Sequence, residues 1–250
     1  AEFKKNNLHI VNFSKNINKT MSKQELKKFI HINKQMPNAI PYVTSYYKKS
    51  WGFCMSHKDF KKMPEGNYKV IISSKFKKGF LDTSHAILKG KTSKEIFFSS
   101  YVCHPSMANN ELSGPTVLNA LLSYIKKKYK KTKFTYRFVL LPETIGSIAY
   151  LSKYKNILMD RVFLGYVLSC LGDKGSFGII ENTNKNCNST RQLKDALKGK
   201  KFNIYSYLER GSDERQYCSP NINLPVSVFC RSKFHLYKEY HSSLDNLNII

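Results

Sequence analysis

After residue 94 the sequence alternates regularly between short apolar segments and amphipathic segments, and this rhythm limits the folds open to the chain. The apolar segments have the length of β-strands, and the segments between them repeat apolar residues at the i, i+3/i+4 spacing of an α-helix. Predicted strands cover residues 95–103, 134–141, 162–170 and 224–230, and predicted helices cover residues 115–129, 145–154 and 191–197. Strands that alternate with helices form a largely parallel sheet with helices on both faces. The sequence therefore predicts an α/β core.

Residues 1–92 lack this alternation and have a different character. They combine short β-like pieces with turn sequences such as Pro64-Glu65-Gly66-Asn67. Ser22 stands three residues before Glu25, a spacing that predicts a capping box at the start of a helix. We predict that residues 1–92 form mostly a small β-rich inserted domain and that residues 93–250 form the α/β core.

The chain is strongly basic, with 42 Lys and Arg residues against 17 Asp and Glu residues and a net charge of +25. Only six of the basic residues are Arg, whereas proteins that read nucleic acids depend on Arg for bidentate contacts to bases and phosphates. A nucleic-acid partner is therefore not expected, while attraction to acidic ligands or anionic lipid surfaces stays open. Every apolar run is far shorter than the ~18 residues of a membrane span, so we expect no transmembrane segment.

The six cysteines are scattered and form no CxxC pair, so their spacing indicates neither a zinc ribbon nor a disulfide framework. Several lie inside apolar strand-like runs, such as Val102-Cys103 and Val228-Phe229-Cys230, where buried free thiols are common. Free thiols favour a reducing compartment, and we predict a cytoplasmic location.

Four polar loops border the predicted strands and carry His104, Glu143, Asp213 with Glu214, and His241. Binding sites in open α/β sheets lie beyond the carboxyl ends of the strands, so we expect these side chains to converge. Two imidazoles and two or more carboxylates can hold a zinc ion and still leave one carboxylate free to accept a proton from water. Any one of these residues taken alone, such as His104, is better explained by a structural role.

Several stretches of the sequence resemble a known family. The segments YVCHPSMANNELSGP, LPETIGS, RGSDERQYCSP and YHSSLDNLN are similar to those of bacterial aminopeptidase-like proteins with the M28-type zinc peptidase fold and an inserted small domain. The segments PYVTSYYKKSWGFC and NLHIVNFS extend the resemblance, which runs from about residue 8 to the end of the chain. It implies a three-layer zinc-aminopeptidase-like fold with a mixed, mostly parallel sheet and a small β-rich inserted domain. Members of this group usually have further sequence on both sides, so we expect this chain to be a fragment or a short version.

The resemblance assigns roles to individual residues. His104 stands at the place of a zinc-binding His that follows a strand, and His241 stands at the place of the last zinc ligand. Glu143 matches the general base, and Ser212-Asp213 matches a Ser–Asp pair that supports the site. We therefore predict Glu143 and Asp213 as catalytic residues.

Three ligand places of the family hold other residues here. Asn110 stands where the family has a bridging Asp, and Thr144 stands where it has a Glu ligand. Near Ser169-Cys170, where a further Asp ligand would fall, no carboxylate is present. Amide and hydroxyl oxygens are poor zinc ligands, so the resemblance here implies one zinc ion rather than two.

We predict that His104, His241 and Glu111 hold this zinc ion, with Asp213 as the alternative carboxylate. Asn110, Arg210 and Tyr240 are predicted to contact the substrate. For Arg210 a role in charge compensation stays open, and for Tyr240 a role in packing or at an interface stays open.

Three functional hypotheses follow. The first is a zinc-dependent amide hydrolase, by resemblance an aminopeptidase, that cleaves a small peptide or another amide with Glu143 as general base. The second is an amidohydrolase or deacetylase acting on N-acylated sugars, since the two kinds of site differ mainly in pocket shape. The third is a binding protein that has lost catalysis on the same scaffold, as the altered ligand places allow. Homo-oligomerisation is left open by the sequence.

Overall fold

A computed structural model describes residues 7–250 and divides them into two compact units. The first, called here the N-terminal unit, comprises the chain up to Phe80 together with Pro105–Met107 and Glu239–Asn246. The second, called the sheet unit, comprises Leu81–His104, Ala108–Lys238 and Leu247–Ile250. The predicted domain boundary at residue 92 stays a prediction.

The N-terminal unit contains two small sheets and two short helices. Its elements are β1 (Ile17–Ser22), α1 (Lys23–Leu26), β2 (Ile30–His31), β3 (Phe53–Cys54), α2 (His57–Lys62) and β4 (Asn67–Ile72). Strand β1 pairs antiparallel with β4, and β2 pairs parallel with β3. The predicted capping box at α1 is confirmed, because the Ser22 hydroxyl accepts from the Glu25 N–H while the Glu25 carboxylate accepts from the Ser22 N–H at 2.9 Å. The core of this unit packs around Trp51, which is stacked on Phe29 at 4.0 Å.

The sheet unit is built on seven strands in the order β10-β9-β11-β8-β6-β7-β5. These strands are β5 (Ser84–Leu88), β6 (Glu95–Tyr101), β7 (Thr135–Leu141), β8 (Val162–Leu168), β9 (Phe177–Ile180), β10 (Phe202–Tyr205) and β11 (Val226–Cys230). Neighbouring strands run parallel except where β5 pairs with β7 and β9 pairs with β11. The sheet is therefore mixed and mostly parallel, as predicted.

Four helices accompany these strands: α3 (Ser113–Lys128), α4 (Ile145–Arg161), α5 (Asn188–Ala196) and α6 (Glu214–Tyr217). One turn of π-helix, Ala108–Leu112, leads directly into α3. The sequence predicts a polar loop here that leads into a helix, so the π-helical turn differs from that prediction. Single π-helical turns are uncommon and are found frequently at functional sites. None of the helices in the described part of the chain has the length and hydropathy that crossing a bilayer requires.

A buried ion pair joins the neighbouring parallel strands β6 and β7. Arg137 donates from Nε to Glu95 Oε2 at 2.6 Å and from Nη2 to Glu95 Oε1 at 2.9 Å. The guanidinium also donates from Nη1 to the Tyr150 hydroxyl at 3.1 Å. Both charged side chains are almost fully buried, so each charge depends on the other for compensation.

Removal of one charge of this pair should therefore be costly. We expect Arg137→Leu to lower the free energy of unfolding by about 3–5 kcal/mol, because the buried Glu95 carboxylate would lose the only cation that donates hydrogen bonds to it among residues 7–250. Urea denaturation measures the change. The matched control is Arg161→Leu, since Arg161 lies 3.9 Å from Glu95 with 43% of its side chain exposed; its effect should stay within about 0.5 kcal/mol. Equal denaturation midpoints for Arg137→Leu and wild type would contradict the argument.

Candidate active site

The first element of the site is the loop that follows β6. The chain leaves the sheet at Tyr101 and reaches His104 three residues later. The carboxylate of Glu111, a buried residue of the π-helical turn, accepts the N–H of Cys103 and, at 2.9 Å, the N–H of His104. Its Oε2 also lies 3.1 Å from Nδ1 of His104. A carboxylate against one ring nitrogen orients an imidazole and leaves the other nitrogen available to a ligand.

The second element is Glu143, in the turn between β7 and α4. Its Oε1 accepts a hydrogen bond from the Ser212 hydroxyl at 2.7 Å, and its Oε2 lies 3.7 Å from Nε2 of His104. Burial raises the pKa of Glu143, while the neighbouring His104 and the hydrogen bond from Ser212 oppose that rise. With 23% of its side chain exposed, the carboxylate can still be reached from solvent. A reachable carboxylate with a raised pKa is suited to accepting and returning a proton.

The turn that presents Glu143 is strained. Thr144 has φ 64° and ψ −67°, and the Ile145 N–H donates to the Glu143 carbonyl at 2.7 Å across it. This is a γ-turn of the rare positive-φ kind, which is unfavourable for a β-branched residue. Such backbone strain persists only where neighbouring contacts hold it.

Asp213 supplies those contacts. Its Oδ1 accepts the Thr144 N–H at 2.8 Å and the Ser147 hydroxyl at 2.8 Å. Asp213 is fully buried, and its Oδ2 has no hydrogen-bond partner among residues 7–250. Burial, reinforced by the charge of Glu143, raises the pKa of Asp213 to about 7. The residue therefore holds the strained turn in place from inside the protein.

Beside it, Glu214 fixes the loop that carries Ser212. The carboxylate is fully buried, and Oε1 accepts the N–H of Gly211 at 2.8 Å and of Ser212 at 3.2 Å. Burial raises the pKa of Glu214. The Ser212 hydroxyl is thereby held against Glu143.

A group of three donors at this site fits a metal ion. The Sγ of Cys103, a ring nitrogen of His104 and a carboxylate oxygen of Glu143 all lie within 4.8 Å of one another. Thiolate, imidazole and carboxylate are the donor types that zinc takes in proteins. Within the part of the chain that the structure describes, no other set of three such side chains comes this close.

Cys103 is the member of this group that the sequence analysis did not single out. The apolar run Val102-Cys103 predicts a buried thiol, but β6 ends at Tyr101 and the Cys103 side chain is exposed. The sequence feature that could have identified Cys103 as a metal donor is its position directly before His104, at the end of a strand.

Neutral side chains that contact one another stand at places where the resemblance implies further metal ligands. Asn110 is buried and donates from Nδ2 to the Tyr101 hydroxyl at 2.9 Å. That hydroxyl lies 2.7 Å from the Ser169 hydroxyl. Cys170, beside Ser169, is a buried cysteine that the Asn110 amide approaches at 3.8 Å.

The remaining predicted site residues have other surroundings. His241 and Tyr240 belong to the N-terminal unit, where their rings are stacked with centroids 3.9 Å apart and Tyr42 meets the His241 ring edge-on at 5.1 Å. Arg210 belongs to the sheet unit, is exposed, and places its guanidinium over the Tyr207 ring at 4.6 Å. The sheet unit thus brings His104, Glu111, Glu143 and Asp213 together.

Comparison with solved structures identifies the fold. A zinc aminopeptidase from Bacillus subtilis aligns over 88% of this chain and 58% of its own, with a TM-score of 0.63 and 14% sequence identity. That likeness concerns the fold alone, and it confirms the predicted zinc-aminopeptidase-like architecture. A crystal structure of a Clostridium acetobutylicum protein named as a peptidase has a TM-score of 0.94 and 35% identity, and the match covers 100% of this chain and 59% of that one.

The chain belongs to the family described as "Domain of unknown function (DUF4910)", which matches residues 14–250. A Clostridium acetobutylicum protein whose name assigns it to polysaccharide biosynthesis, with an aminopeptidase-like domain, is 38% identical over 261 residues. That match covers 98% of this chain and 56% of the relative, so the chain spans little more than half of the relative's length. The aminopeptidase-like resemblance is confirmed. That the motif segments are specific to one group within this fold stays a prediction.

The raised pKa of Asp213 predicts how stability depends on pH. The folded state keeps the Asp213 proton up to about pH 7, whereas the unfolded chain loses it near pH 3.8. The stabilising contribution is therefore complete below about pH 4 and is lost as the pH rises to 7. We expect wild type to lose a few kcal/mol of unfolding free energy relative to Asp213→Asn over this range, because Asn does not titrate.

Urea denaturation at pH 5 and pH 8 measures this difference. Asp160→Asn, which changes a carboxyl with 77% of its side chain exposed, is the matched control and should follow the wild-type pH profile. Parallel profiles for wild type and Asp213→Asn would show that Asp213 does not titrate in this range.

The strained turn makes a second prediction. Glycine tolerates positive φ, so Thr144→Gly should be more stable than Thr144→Ala by roughly 1 kcal/mol. Thr144 is also the N-cap of α4, where Gly is preferred over Ala as well, so both effects favour the Gly variant. Thermal denaturation of the two variants compares them, and a more stable Ala variant would count against strain at residue 144.

Proposed function

We propose that this chain is a zinc-dependent amide hydrolase of the aminopeptidase type, with a single metal ion and a small peptide or other amide as substrate. The observation that carries the proposal is the pairing of Glu143 with His104. Their side chains come from the ends of two neighbouring parallel strands and lie 3.7 Å apart, and each is held by a partner of its own, Ser212 and Glu111.

His104 and His241 are the proposed imidazole ligands, His241 on the strength of the family resemblance. From the sequence, Glu111 is predicted as the carboxylate ligand. Because its two oxygens accept the N–H groups of Cys103 and His104, we now propose that Glu111 orients His104 instead. A zinc ion bound here would polarise the amide carbonyl and make water easier to deprotonate.

Glu143 is the proposed proton carrier. It takes a proton from the attacking water as the new C–O bond forms, and it returns that proton to the amine nitrogen as the C–N bond breaks. Asp213 is a positioning residue for this step, since it holds the Thr144 turn on which Glu143 sits. Arg210, Tyr240 and Asn110 stay proposed substrate contacts.

A second candidate is hydrolysis of the acyl group of an N-acylated sugar. The observation that favours it is the relative whose name places it in polysaccharide biosynthesis. The bond cleaved is again an amide, so the same His104–Glu143 pair would serve, and only the pocket would differ.

The test compares wild type with Glu143→Gln after loading with zinc. Substrates are a panel of chromogenic aminoacyl amides and N-acetylglucosamine, which separate the two candidates. Because Gln cannot accept the proton, we expect Glu143→Gln to lose about 10²–10⁴-fold in kcat while its zinc content stays at the wild-type level. Glu65→Gln, at a residue with 84% of its side chain exposed, is the control and should keep full activity.

Each other outcome has a defined meaning. Full activity in Glu143→Gln would show that another group carries the proton. Loss of zinc from Glu143→Gln would make Glu143 a ligand rather than the base. Zinc binding by wild type without hydrolysis of any substrate would favour a binding protein on this scaffold.

A further inference from the structure

We propose that Cys103 is a thiolate ligand of the metal ion held by His104, so that the site selects a thiophilic divalent cation such as zinc over magnesium or calcium. This inference rests on the proposed function and deepens it. It gives the single ion an anionic ligand that the resemblance to zinc aminopeptidases does not supply.

The position of the thiol carries the inference. Cys103 Sγ lies 3.1 Å from Nδ1 of His104. The donor atoms of Cys103, His104 and Glu143 all lie within 4.8 Å of one another. Donor atoms on one tetrahedral zinc are roughly 3–4 Å apart, so the 3.1 Å between the thiol and the His104 ring suits two ligands of one ion, while Glu143 stays free as the proton carrier.

Hydrogen bonds to Glu111 fix the backbone at Cys103 and His104. The Glu111 carboxylate accepts the N–H groups of Cys103 and His104 together, so one side chain positions both donors. Cys103 is also the exposed member of the six free cysteines, while the other five are buried. A cation can therefore reach this thiol from solvent.

The charges around the ion favour a thiolate ligand. Asn110 and Thr144 are neutral at places where the family has carboxylates, which removes two negative charges from the surroundings of a divalent ion. A thiolate restores one of them. The thiol proton is released to solvent when the metal binds, and thiolate ligands favour zinc and softer metals over magnesium and calcium.

Cobalt(II) is the probe that reports thiolate ligation directly, because a cobalt–thiolate bond adds a charge-transfer absorption band in the near ultraviolet. We expect the full chain loaded with cobalt to hold one ion by elemental analysis and to show this band. Cys103→Ser should lose the band and bind cobalt and zinc at least roughly tenfold more weakly.

Cys187→Ser is the matched control. Cys187 lies at the N-cap of α5, a position where Ser is well tolerated, so this variant should keep both the band and the affinity. Circular dichroism melting checks that all variants are folded, and exposure of Cys103 at the surface favours folding of its Ser variant.

Two results would overturn the inference. If cobalt binds to wild type without the band, or if Cys103→Ser keeps the band, Cys103 is not a ligand while the proposed hydrolase stands. If wild type binds neither cobalt nor zinc, the thiolate site and the metal-dependent hydrolase fail together.

Discussion

The geometry of the site depends on the hydrogen bonds that the Asp213 carboxylate accepts from Thr144 and Ser147. These bonds hold a backbone turn that would otherwise relax, and Glu143 is the residue directly before that turn. Ser212 directly precedes Asp213, and its hydroxyl donates a hydrogen bond to the Glu143 carboxylate. The buried segment Ser212-Asp213 therefore fixes both the backbone next to Glu143 and the position of the Glu143 carboxylate.

The same arrangement recurs on the other side of the site, where Glu111 fixes His104. Acidic residues are scarce in this chain, with 17 Asp and Glu against 42 Lys and Arg. Four of them, Glu111, Glu143, Asp213 and Glu214, are nonetheless gathered at this one site. In an otherwise basic chain, these carboxyl groups are where a cation or an amine would find anionic partners.

The sequence predicted the central strands and the longer helices because their apolar periodicity is strong, as at β6 and α3. It missed β9 and β10, which have four residues each and too few positions to show a period. The convergence of His104 with Glu143 follows from parallel strands ending at one edge. The contact of Glu111 with two backbone N–H groups could not be predicted, because it depends on a π-helical turn that sequence periodicity does not reveal.

The bonded set of Asn110, Tyr101 and Ser169 has an evolutionary consequence. An Asp at position 110 would place a charge beside two hydroxyl groups, with Thr144 and Cys170 still neutral nearby. A site for a second cation would therefore need carboxylates at several of these positions together, and no single substitution would supply them.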